Sequence, residues 1–75
     1  MDKIVNQKVN MAVGEFEKYK DDLSTLTDLN DMQIEDFTSE FELLINKHQI
    51  LPEDISKEYI NKLSQNYLTF GKINI

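Results

Sequence analysis

The chain has 75 residues, 14 acids against eight basic residues and one histidine, for a net charge of −6. That length allows one domain with a small core, and the absence of cysteine excludes disulfides and thiolate metal sites. Every basic residue is a lysine, so no guanidinium is available to fork onto phosphate.

Charge is unevenly placed. Residues 26–54 hold eight acids (Asp28, Asp31, Glu35, Asp36, Glu40, Glu42, Glu53, Asp54) against Lys47 alone, while the two ends nearly cancel. Such a middle third repels nucleic acid and anionic lipid and attracts a basic protein. No apolar run is longer than Leu43-Leu44-Ile45, too short to span a membrane. The opening Met1-Asp2-Lys3-Ile4 lacks the basic and apolar regions of a signal peptide, so the expected location is the cytoplasm.

The first amphipathic stretch is the most regular. Val5, Val9, Ala12, Phe16, Tyr19, Leu23 and Leu26 alternate steps of four and three, which places one apolar seam along a helix of about residues 2–25. Val13 broadens the seam, and Gly14 falls on the outer face. Glu15–Lys18 and Glu17–Lys20 are three-apart pairs that support the helix. A seam this regular has to be covered by the rest of the chain, by a second copy or by another protein. Met1, Ile4 and Met11 add apolar surface near it.

Residues 24–31 are rich in capping side chains. Thr27 or Asn30 can begin a second helix, and Asn30 with Gln33 three positions later resembles a capping box. This helix spans about residues 29–48, with Ile34, Phe37, Phe41, Leu44 and His48 on its apolar face, continued by Leu51. Asp28, Asp31, Glu35 and Glu42 gather on a stripe away from it. Pro52 ends that helix and suits the first turn of a third, about residues 53–67, whose apolar face is Ile55, Tyr59, Ile60, Leu63 and Tyr67. Gly71 is a natural stop. The apolar tail from Leu68 to Ile75, with Phe70, Ile73 and Ile75, is expected to dock on the bundle or on something else. The fold expected for residues 1–75 is a single all-α domain, a small antiparallel three-helix bundle.

Catalytic and metal chemistry find little to work with. His48 is the lone histidine, and Ile45 stands three before it, so the Glu-x-x-His pairing of di-iron bundles is missing. Asp28-Leu29-Asn30-Asp31 opens somewhat like a calcium loop, but the sixth position is Gln33 and the twelfth is Ser39, where glycine and glutamate belong. Two glycines cannot build a phosphate cradle. The expectation is a protein that is not an enzyme and carries no cofactor and no metal.

Partner binding remains. The main expectation is a non-catalytic acidic module that acts stoichiometrically on a protein, as inhibitors, antitoxins, immunity proteins and regulatory adaptors do. Asp31, Glu35 and Glu42 would steer toward a basic site, while apolar residues such as Val5, Phe16 and Tyr19 supply affinity. A second reading is a structural homo-oligomer that pairs through helix one. Two weaker readings concern nucleic acid. One is a DNA-binding regulator reading bases through Asn61, Ser64, Gln65 and Asn66 beside Lys57 and Lys62, and the other is an acidic DNA mimic.

Overall fold

The computed structural model describes the backbone of residues 2–75 and the side chains of residues 7–75. It is an all-α bundle of three long helices and one short one: α1 (Asp2–Lys20), α2 (Leu23–Leu26), α3 (Asp31–Asn46) and α4 (Lys57–Phe70), with a 3-10 turn at Pro52–Asp54. Among the described residues there is no strand.

The first expected helix is divided. α1 stops at Lys20, where Asp22 N–H closes a tight turn onto the Tyr19 carbonyl at 3.0 Å. Asp21 and Asp22 lie at the negative end of the α1 dipole, where carboxylates are unfavourable, and Ser24, Thr25 and Thr27 extend a helix poorly. Asp22 instead becomes the N-cap residue of the one-turn α2. The break still buries Leu23 completely and brings Leu29, expected to begin the second helix but lying ahead of α3, into the core. Thr27 fixes this corner. Its buried hydroxyl donates to the Leu23 carbonyl at 2.6 Å and accepts from Leu29 N–H at 3.3 Å.

α3 begins with the capping box expected from its sequence: Gln33 N–H donates to Asn30 Oδ1 at 2.8 Å, and Asn30 N–H donates to Gln33 Oε1 at 3.0 Å. It ends before His48. That residue has φ +61 and is exposed, so it does not lie on the apolar face assigned to it. The His48 N–H donates to the Ile45 carbonyl and the Gln49 N–H to the Leu44 carbonyl, the paired bonds of a Schellman stop. The chain reverses there, and Ile50, not Leu51, returns to the core.

Pro52 starts a 3-10 turn and not the long helix itself. Asp54 accepts the Leu51 N–H at 3.2 Å, and Ser56 then caps α4 by accepting the Tyr59 N–H at 3.1 Å. α4 runs a turn past Tyr67 and stops at Gly71, whose φ of +74 lets its N–H reach the Tyr67 carbonyl.

One core joins these elements. Phe16 and Phe41 stack with ring centroids 4.1 Å apart and planes within 8°. Phe37 meets Tyr67 and Phe41 meets Tyr59 edge-on, so α4 runs antiparallel to α3. α1 lies against α3 and the 3-10 turn. Ala12, Leu23, Ile45, Ile50, Ile60, Leu63 and Ser64 complete the fully buried set. Beyond Gly71 the tail folds back. Ile73 is buried, its N–H donates to Glu40 Oε1 at 2.9 Å, and Asn66 pairs with both the N–H and the carbonyl of Asn74. Phe70 and Ile75 stay exposed. No helix among the described residues is long and apolar enough to cross a membrane.

Candidate interaction surface

α3 has two unlike sides. Phe37, Phe41 and Ile45 point into the core. At 3.6 residues per turn, Met32, Ser39 and Leu43 lie within about 40° of one another on the opposite side. All three are exposed, Met32 by 80% and Leu43 by 52%. By the same geometry Asp31, Glu35 and Glu42 run along one flank of this row, and Asp36 and Glu40 along the other.

The five acids share little neutralisation. α3 carries no basic residue from Asp31 to Asn46. Among the described residues its carboxylates have one cation at ion-pair distance, Lys20 at 3.7 Å from Glu42. The expected Glu17–Lys20 pair is therefore replaced by a pair across helices, whereas Glu15–Lys18 forms at 2.8 Å. Asp31–Glu35 and Asp36–Glu40 are like-charge pairs four residues apart, each destabilising by about 0.2–0.5 kcal/mol on a helix surface. Hydrogen bonds hold the second flank in place. Tyr67 donates its phenol proton to Asp36 at 2.7 Å, and Glu40 accepts the Ile73 N–H. The bond to Asp36, then burial and the charges of Asp36 and Glu40, push the Tyr67 phenol above its ordinary value. The Tyr59 phenol is also raised, chiefly by burial and secondarily by Asp54.

The residues singled out from the sequence fall in different places. Asp31 and Glu35 are exposed on one flank of α3, and Glu42 is half-exposed beside Lys20. Phe16 is a correction: it is fully buried against Phe41 and supplies core, so it presents no surface to a partner. Tyr19 is half-buried and packs on the same core. Val5, with Met1 and Ile4, lies outside the described side chains. The rest of the helix-one seam, Val9, Ala12, Leu23 and Leu26, is buried or half-buried within the chain, while Met11 is exposed. Met32 and Leu43 lie off the apolar faces read from the sequence. A helical wheel centred opposite Phe37 and Phe41 is the signal that finds them.

Four polar side chains of α4, Asn61, Ser64, Gln65 and Asn66, form hydrogen bonds within the chain. Asn61 Nδ2 donates to the Leu26 carbonyl at 2.8 Å, and the buried Ser64 hydroxyl donates to the Asn61 carbonyl at 2.7 Å. Gln65 Nε2 donates to Asp28 at 3.2 Å, and Asn66 holds Asn74. Each side chain proposed to read base edges thus has an intramolecular partner, which leaves Lys57 and Lys62 as the exposed polar contribution of that idea. Among the described residues there is no cavity and no group of three metal-ligating side chains. Neither family models, curated proteins nor solved structures give a significant match to the chain.

Proposed function

We propose that the chain is a non-catalytic, acidic protein-binding module that acts stoichiometrically by covering a basic surface of a protein partner. The observation that carries this reading is α3, which presents Asp31, Glu35, Asp36 and Glu40 with no cation at ion-pair distance among the described residues, beside an 80%-exposed Met32. Like charges held close on one helix weaken the isolated fold, and a cationic partner relieves that repulsion. Exposed apolar side chains on the same face add a term that charge alone does not supply. An inhibitor, antitoxin, immunity protein or regulatory adaptor works in this way.

The other readings have less behind them. The part of the helix-one seam that is described is covered by the chain's own core, which removes the motive for pairing through it. The polar residues of α4 are engaged internally, and a mimic of DNA has no use for Met32 and Leu43.

The test is a tagged pull-down of the full chain from lysate of the source organism, washed at low and then high salt. One enriched protein released by salt is the expected result. Its association rate with the Glu35→Lys/Glu42→Lys variant should fall at low salt and depend less on ionic strength. Recovery of nothing but untagged copies of the bait would overturn the reading.

A further inference from the structure

From the layout of the α3 surface we infer that the Met32–Ser39–Leu43 row is a docking site for a basic amphipathic helix about three turns long. The inference rests on the protein-binding reading above and gives it a site and a partner chemistry.

The length of the row comes first. Met32 and Leu43 are eleven residues apart, about 16 Å along the axis at 1.5 Å per residue. Two long apolar side chains stand at its ends; between them lie the small exposed Ser39 and, about 20° from Leu43 around the axis, the exposed Asp36. That profile is a ridge with a central notch, and helices pack by setting the ridge of one into the groove of the other. A partner helix places one apolar side chain over Ser39 and others against Met32 and Leu43.

Charge decides what kind of helix. Asp31, Glu35 and Glu42 border one side of the row, and Asp36 and Glu40 border the other. The partner therefore needs lysine or arginine on both edges of its apolar stripe, as e and g positions flank a coiled-coil seam. A second copy docking through its own α3 brings acids against acids, so symmetric self-pairing of this face is disfavoured. Nucleic acid and anionic lipid are repelled for the same reason. The acids on the Asp36 side are also preorganised, because Tyr67 and the Ile73 N–H fix those two carboxylates before any partner arrives.

The experiment uses the full chain and a synthetic three-turn peptide with leucines on one face and lysines along both edges. Two control peptides have the same composition scrambled around the helix, and glutamate in place of lysine. Amide shifts in the uniformly labelled protein should move along residues 31–43 with the first peptide, and with neither control. Binding should weaken about tenfold or more in the Met32→Ser/Leu43→Ser variant. Both positions are exposed, so that variant keeps the fold, which its helical circular dichroism checks. Shifts that map to another face, or equal binding of the scrambled peptide, would overturn the inference. A lysate partner that is lost on Glu35→Lys/Glu42→Lys but holds on Met32→Ser/Leu43→Ser would overturn it too, while leaving the broader protein-binding reading standing.

Discussion

Replacing His48 with glycine should make the protein more stable, even though it removes a side chain. The Schellman stop after α3 needs one residue in the left-handed region, and His48 supplies it with φ +61. An L side chain there brings Cβ against the carbonyl oxygen and costs about 1–2 kcal/mol. Glycine has no such clash but gives up about 0.5–1 kcal/mol through the greater freedom of the unfolded chain. The net gain is about 0.5–1 kcal/mol, since the exposed imidazole has no hydrogen-bond partner among the described residues to lose. For a chain of this length, a gain near 1 kcal/mol raises the melting temperature by about 6 °C. The end of α4 provides the reciprocal case. Gly71 has φ +74, and a Cβ added there meets nothing within 4 Å, so Gly71→Ala loses stability for backbone reasons alone, by about 1 kcal/mol. Thermal unfolding followed by circular dichroism, repeated in denaturant, reads both variants. A His48→Gly protein that melts at or below the parent would refute the reasoning, and with it the assignment of a strained stop at the end of α3.

Other perturbations probe different parts of the fold. Thr27→Val keeps the shape of the corner but leaves the buried Leu29 N–H without its acceptor, and should cost about 1–3 kcal/mol; an unchanged denaturation midpoint would argue against this corner. Phe16→Ala removes one ring of the buried stack and should cost about 3–5 kcal/mol, close to the whole stability a core of this size provides. Loss of the cooperative unfolding transition is expected, and a sharp transition near the parent midpoint would place Phe16 outside the core. The raised Tyr67 phenol ties stability to alkaline pH. Its folded value lies above the unfolded one, so its contribution is complete below the ordinary value of 10.0 and is lost as pH climbs through the folded value. Tyr67→Phe should lower stability at neutral pH and flatten the alkaline decline, and an alkaline limb as steep as the parent's would count against the Tyr67–Asp36 bond.

Periodicity carried the interior of each helix and lost the ends. Phe37, Phe41, Ile60 and Leu63 repeat at helical spacing because they share a buried side, and they are buried. The seam from Val5 to Leu26 keeps its rhythm across Asp21 and Asp22, yet the backbone breaks there, since a hydrophobic count registers neither the helix dipole nor a caesura that buries Leu23 from a new direction. His48 keeps the same three-four phase beyond the last turn of α3. Only the left-handed backbone at that position reveals that the phase has been reset, which is why Ile50 packs inside where Leu51 was expected. In the tail, Gly71 reverses the chain and selects Ile73 for burial over Phe70 and Ile75, an outcome that apolar character alone does not distinguish.

The surface poses a harder problem, because one residue type serves opposite ends. Asn61, Gln65 and Asn66 form a polar helix face that suits base recognition, and the same amides suit any carbonyl or carboxylate within reach. Here the reach is decided by α2 and the returning tail, which set the Leu26 carbonyl, Asp28 and Asn74 beside α4. Those partners come from residues 8–37 positions away, and no local pattern announces them. The acids of α3 show the reverse. Asp36 and Glu40 are used internally by Tyr67 and Ile73, yet each bond is made to a carboxylate that still carries its charge toward solvent beside Met32 and Leu43. Internal use takes one N–H of each of Asn61 and Gln65 and ties down the orientation of those amides, whereas the carboxylates of α3 keep a field that extends about 8–10 Å in physiological salt. The proposed role in recognition therefore rests on the carboxylates.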